Sequence, residues 1–189
     1  MSDRNDVLQK YVADMLSLEK HIHEAVRRQR DDQKVATHPQ THSLISRIES
    51  TLDEHIEHLE RHLKSIGGNG ASPVQDAVAA VAGAAAGVYD KVRDEKVSKM
   101  LRDDYTALGL AAISYTTLHT TGLAVASAPT ADLALRHLQH WTPLIVEISE
   151  VIPLVVIKEL AEDLDQVSPS IGQQAVRNTQ SAWSREAVH

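Results

Sequence analysis

Apolar side chains recur at spacings of three and four residues along most of this chain, the pattern of helices that bury one face. The clearest segment lies between His42 and Ile66, where the apolar positions are Ile45, Ile48, Leu52, Ile56, Leu59, Leu63 and Ile66. Strand-like alternation of useful length is absent from the sequence. We therefore predict an all-α protein.

Three further segments show the same periodicity. They predict a first long helix over about residues 7–34, a third over about 90–125, and a fourth from the turn at 127–130 to about 164. Pro39 lies in the turn at 35–41, between the first two helices, whereas Pro143 and Pro153 should kink or interrupt the fourth.

An alanine-rich segment separates the two predicted hairpins. Ser72 and Pro73 are typical of an N-cap and a first helical position, and they open a predicted helix over 74–89. Two hairpins joined by a longer connection indicate a ferritin-like antiparallel four-helix bundle, with this extra connecting helix between its second and third long helices. We assign residues 1–166 to the bundle and expect residues 167–189 to form a mobile C-terminal tail.

The composition excludes several classes of function. The chain has no cysteine, so any chemistry must use histidine, carboxylates, hydroxyls or a cofactor. A net charge of −7 argues against a nucleic-acid partner, and the apolar stretches are shorter than the roughly 18 residues of a membrane span. The polar, acidic N-terminus lacks the pattern of a signal peptide, so we expect a cytoplasmic location.

Histidine is the residue type that suggests a function, since seven of the eleven histidines precede residue 63. Glu19 lies on the apolar face of the first helix, and counting away from the turn places it level with His58. Glu54 lies one turn from His58, while His55, His58 and His62 flank the apolar face of the second helix. A carboxylate facing Glu and His on the next helix is half of a carboxylate-bridged di-metal site. We predict metal ligation by Glu19, Glu54 and His58, with His55 or His62. The alternative is a partly solvated histidine boundary, with the inward glutamate paired to a buried arginine or histidine.

The second hairpin contains another histidine group. His119 lies level with His137 and His140. This trio predicts a divalent-metal group, most suitably for zinc, or a group that responds to pH, or three surface or boundary histidines. Asp104 lies on the inward face near the start of the third helix, which indicates either helix electrostatics or a buried ion pair. We assign Tyr115 to the core.

Two segments resemble the YciE/YciF-type branch of the ferritin-like superfamily. Asp14-Met-Leu-Ser-Leu-Glu-Lys-His-Ile is similar to that family's Asp-x-x-x-Ala-Glu-Lys-Gln-Leu stretch, and Leu52-Asp-Glu-His-Ile-Glu-His-Leu-Glu-Arg is similar to its Leu-Glu-Glu-Thr-x-x-His-x-x-Arg segment. The resemblance spans about residues 7–160. It implies a di-iron centre with Glu19, Glu54 and His58 in ligand positions, a role in stress responses, and a homo-oligomer, often a dimer.

The chain departs from this family in its third and fourth helices. Ala111 or Thr106 stands where the family has a glutamate, and His137-Leu-Gln-His-Trp141 replaces a Glu-rich segment. The sequence therefore predicts a partial or degenerate di-metal site for iron or another divalent metal. The alternatives are a non-catalytic structural or interaction protein that has lost the site, and a bundle that holds an apolar ligand or haem.

Overall fold

The computed structural model describes residues 3–68 and 96–183. Helices make up 88% of these residues and no strand lies among them, which confirms the predicted all-α class. The helices in the described ranges are α1 (Arg4–Arg30), α2 (Gln33–Ala36), α3 (Pro39–Ser65), α4 (Val97–Ala124), α5 (Ala128–Asp163) and α6 (Ser170–Trp183). The predicted connecting helix at 74–89 lies outside the described residues.

The first two long helices, α1 and α3, pack along each other in opposite directions. The side chain of Gln9 near the start of α1 donates a hydrogen bond to the Ile66 carbonyl just after α3, at 2.8 Å. The connection between them contains the short helix α2, which Asp32 caps by accepting a hydrogen bond from the Lys34 amide at 2.8 Å. Pro39 lies in the first turn of α3, where its missing N–H costs nothing. The second helix therefore begins three residues before the predicted start.

The helices α4 and α5 form the most extensive helix pair of the described chain. Their connection is tight: Ala126 adopts a left-handed φ of 59°, and Pro129 already lies in the first turn of α5. The helix α5 continues through Pro143 and Pro153, so the predicted interruption does not occur. Pro143 faces solvent, where water can satisfy the carbonyl that the proline leaves without a partner.

A single apolar core lies between α1, α3, α4 and α5. Its largest fully buried side chains belong to Trp141 and Tyr115, and leucine, isoleucine and valine supply most of the rest. Contacts of α1 with α4 and of α3 with α5 join the two helix pairs. Polar side chains are buried inside this core as well, and they form the site described below.

The C-terminal segment, predicted to be a mobile tail, contains the helix α6 at Ser170–Trp183. This helix packs against α5, where Gly172 is buried beside Leu154 and the Gln180 side chain donates to Glu150 at 2.6 Å. Ile171, Ala175 and Val176 do recur at helical spacing in this segment, so the prediction from its Ser/Gln-rich composition overlooked a periodic signal. Among the described helices, none has both the length and the hydropathy needed to cross a bilayer.

The contact between α4 and α5 generates a test of the fold. A Cβ atom added at Gly122 would lie 2.7 Å from the Ala131 backbone nitrogen, whereas one added at Gly109 would meet nothing within 4 Å. We expect Gly122→Ala to lower the free energy of unfolding by about 1–3 kcal/mol through overpacking. We expect Gly109→Ala, the matched control, to raise it by about 0.5–1 kcal/mol. Urea unfolding measures both values, and equal effects of the two substitutions would contradict the close approach.

Candidate metal centre

Glu19 is a fully buried carboxylate in α1. Its Oε1 atom accepts hydrogen bonds from the Tyr115 hydroxyl at 2.7 Å, from Trp141 Nε1 at 3.0 Å and from His55 Nδ1 at 3.1 Å. The other oxygen, Oε2, has no hydrogen-bond partner among the residues that the structure describes. Because a buried carboxylate oxygen without a partner is unfavourable, Oε2 marks a place where a cation would be stabilised.

The apolar face of α1 brings this carboxylate into the core. Met15 and Ile22 lie three or four residues from Glu19 and are buried on the same face. The three hydrogen-bond donors come from three other helices, His55 from α3, Tyr115 from α4 and Trp141 from α5. The site therefore lies where the four long helices meet.

Two imidazole rings stack beside the carboxylate. His55 and His137 are fully buried, and their ring centroids lie 3.7 Å apart with the planes 4° from parallel. His137 Nδ1 lies 2.8 Å from the Tyr115 hydroxyl. Since that hydroxyl donates its proton to Glu19, it accepts one from His137 Nδ1. Glu19, His55 and His137 each offer one ligand atom within 4.8 Å of the others, so this group could hold a metal ion.

Two further histidines lie on the outer side of the stacked rings. His55 Nε2 is 3.0 Å from His140 Nδ1, and His137 Nε2 is 3.4 Å from His58 Nδ1. His58 and His140 are partly exposed, with 27% of the His58 side chain accessible to solvent. Hydrogen-bonded side chains thus connect the fully buried carboxylate to the protein surface on two sides.

Burial sets the charge state of the site. It lowers the pKa of His137 to about 2, and the neighbouring rings of His55, His58 and His140, together with Arg136, lower the pKa in the same direction. Burial also raises the pKa of Tyr115 well above its ordinary value, and the adjacent Glu19 adds to this increase. His137 is therefore neutral at physiological pH, which is the form of imidazole that binds metals.

The structure brings together some of the predicted ligands but not all. Glu19 contacts His55, one turn from the predicted partner His58, which instead lies in the outer layer against His137. Glu54 is 54% exposed and its carboxylate lies 4.0 Å from His58 Nδ1, at the surface rather than at the buried group.

His62, the last of the predicted ligands, points to a different neighbour. Its Nε2 atom lies 2.9 Å from the Thr130 hydroxyl, near the start of α5. Burial lowers the pKa of His62, so the ring is neutral in this hydrogen bond at physiological pH. His62 therefore takes no part in the buried group.

The predicted second histidine group is divided in the structure. His137 and His140 join His55, whereas His119 Nδ1 bonds to the Ala131 carbonyl at 2.8 Å. Sequence analysis missed His137 as a partner of Glu19. The signal that identifies it is the position of the α4–α5 turn, because Tyr115 and His137 are equally distant from Ala126.

Tyr115 and Trp141 are buried, as expected for core residues, yet each directs its polar atom at Glu19. A buried Tyr or Trp usually places its O–H or N–H against a partner, so the two aromatic residues also belong to the site. Asp104, which lies apart from this group, accepts a hydrogen bond from the Gln29 side chain at 3.0 Å.

Comparison of the chain with protein-family models, with curated proteins and with solved structures finds no match. The similarity to the YciE/YciF-type branch therefore remains a prediction from the sequence. The function of the protein has to be inferred from the residues of this site and their geometry.

The lowered pKa of His137 predicts how stability changes with pH. The unfolded chain takes up a proton at this residue below about pH 6.5, whereas folded His137 stays neutral down to about pH 2. Acidification therefore favours unfolding, by up to about 1.4 kcal/mol per pH unit below pH 6.5 for this one group. Urea unfolding of metal-free protein between pH 7.5 and 5 measures the slope.

A His137→Phe substitution should make that pH dependence shallower, because it removes the titrating group and keeps a ring in the core. The exposed His42 is the matched control, and His42→Gln should leave the slope as in the wild type. Identical slopes in the wild type and the His137 variant would contradict the assignment.

Proposed function

We propose that the protein binds a divalent transition-metal ion, preferably iron(II), through Glu19, His55 and His137. The observation that carries this proposal is the unpartnered Oε2 atom of Glu19 beside two buried, stacked imidazoles. Two histidines and one carboxylate form the ligand set typical of mononuclear non-haem iron(II), with open positions for exogenous ligands. Imidazole also suits zinc, copper and nickel, whereas magnesium and calcium prefer oxygen ligands.

The distances are compatible with an ion of this kind. Metal–ligand bonds of about 2.0–2.2 Å place adjacent ligand atoms roughly 3.0 Å apart in an octahedral iron(II) site and roughly 3.3 Å apart in a tetrahedral zinc site. The three ligand atoms lie within 4.8 Å of one another, so binding requires movements on the order of 1 Å. The Nδ1 atoms of both rings lie on the Glu19 side, so ligation through them also requires each ring to carry its proton on Nε2, where His140 and His58 can accept it.

The ligand count supports one metal ion rather than a carboxylate-bridged pair. Di-iron centres of helix bundles use glutamates from all four helices, and Glu19 is the one carboxylate within the described buried group. This is the partial, or degenerate, form of the di-metal site. Tyr115 and Trp141 stand beside it and hold the Glu19 carboxylate in place.

We also propose that the four long helices form a ferritin-like antiparallel bundle around the ion. The packing of α1 on α3 and of α4 on α5, with cross-contacts between the pairs, supports a closed arrangement. Metal sites of such bundles use inward side chains from facing helices. The resemblance to the YciE/YciF-type branch extends the proposal to a cytoplasmic, dimeric protein with a role in stress responses.

A second candidate function is that of a structural or interaction protein without a metal. The observation that favours it is that Glu19 Oε1 accepts hydrogen bonds from three donors on three other helices. These hydrogen bonds link the four helices without a metal ion. The two functions differ in the outcome of a single metal-binding measurement.

We expect the purified protein to bind about one equivalent of iron(II) or zinc per chain, since the described part of the chain contains one buried ligand set of three residues. The measurement is metal analysis of protein from iron- and zinc-supplemented cells, followed by anaerobic calorimetric titration of the chelator-stripped protein. Glu19→Gln and His55→Gln should each weaken binding by more than about 100-fold, beyond the loss typical of an outer-shell partner.

The matched control is His119→Gln, which removes a histidine that bonds to a backbone carbonyl outside the site. It should bind metal as the wild type does. A wild-type protein that binds no metal, or full binding by the Glu19 and His55 variants, would exclude the proposed site and favour the structural function.

A further inference from the structure

A groove of about 590 Å³ opens at the surface beside the buried histidines. Its walls come from the last part of α3 and from the first turns of α5, and they include His58, Arg61, His62, Asp132 and Arg136. The groove is next to the buried site because the ring of His58 lines it while its Nδ1 atom lies 3.4 Å from His137.

The charge of the groove is opposite to that of the whole chain. The chain carries a net charge of −7, but two arginines and only one acidic residue, Asp132, line the groove. Arg136 is exposed and makes no ion pair or hydrogen bond with any residue in the described ranges. Its guanidinium therefore has its donors available for a ligand.

Arg61 is also available to a ligand, although it has a partner. It bonds to Glu57 at 2.6 Å, but both side chains are more than 60% exposed. Exposed ion pairs of this kind contribute little to stability, so a ligand can displace Glu57 at small cost. One guanidinium group from each of the two helices that line the groove offers the forked donor geometry that matches carboxylates and phosphates.

The start of α5 adds a second favourable contribution. Pro129, Asp132 and Leu133 line the groove from the first turns of this long helix, whose N-terminal end carries partial positive charge. The carboxylate of Asp132 also interacts favourably with this partial positive charge, so it competes with any bound anion.

We propose that the groove binds a small oxyanion, a carboxylate or a phosphate, between Arg61 and Arg136. This inference goes beyond the proposed metal function, and it holds for metal-free protein. In the metal-loaded protein the same groove would bring an anionic ligand next to His58, on the open side of the site.

The test is a titration of chelator-stripped, ¹⁵N-labelled protein with inorganic phosphate and, separately, with succinate at constant ionic strength. The side-chain Nε–Hε resonances of Arg61 and Arg136 should shift in a saturable manner. Arg136→Gln should weaken binding about tenfold, the loss expected for one charge-assisted contact. Asp132→Asn and Glu57→Gln should strengthen binding, because each removes a competing carboxylate.

Arg27→Gln is the matched control, since it removes the same charge from an exposed site in the last turn of α1. It should leave the affinity unchanged. A non-saturable shift, an equal loss with Arg27→Gln, or unchanged affinity in Asp132→Asn would overturn the proposal. Because no metal is present, these results are independent of whether the buried site binds iron or zinc.

Discussion

The hydrogen bonds of one buried carboxylate, Glu19, organise this fold. A carboxylate taken out of water is unfavourable unless donors replace its hydration. Here the donors come from His55, Tyr115 and Trp141, one on each of the other long helices. The three hydrogen bonds to Glu19 can therefore form together only when the four long helices pack in one particular register. Apolar packing alone tolerates sliding along a face, but three directed hydrogen bonds to one oxygen do not.

The same hydrogen bonds divide the histidines into two layers. Without an ion, Glu19 and Tyr115 accept the Nδ1 protons of His55 and His137, and the Nε2 atoms of both rings lie on the outer side. These Nε2 atoms lie against His140 and His58, which are partly exposed. The inner layer, His55 and His137, is thus fixed by hydrogen bonds in the core, whereas the outer layer, His58 and His140, is partly exposed to solvent. This arrangement would allow a ligand to reach the inner histidines from the surface.

Much of the fold could be predicted from the sequence, because apolar spacing identifies helices directly. The inward position of Glu19 followed from the same spacing. It was harder to predict which residues of two neighbouring helices lie level, since this register depends on the exact position of the turn that joins them. The short helix α2 lengthens the first connection, and Pro129 lies inside α5 rather than in the second turn. A shift of one helical turn then replaces His58 by His55 as the partner of Glu19. The helix α6 was missed because the prediction for residues 167–189 relied on Ser/Gln-rich composition, although Ile171, Ala175 and Val176 recur at helical spacing.

The burial that makes His137 a poor base also suits it to bind a metal. A proton and a metal ion compete for the same imidazole lone pair, and burial disfavours the protonated ring because it takes the positive charge out of water. Three neighbouring imidazoles and Arg136 add to this effect. A divalent ion, in contrast, would bring its charge next to the Glu19 carboxylate, whose Oε2 atom lacks a partner in the described core. The site thus disfavours protonation of His137. It would stabilise a divalent ion bound by Glu19, His55 and His137, because the negative charge of Glu19 would balance part of the charge of the ion.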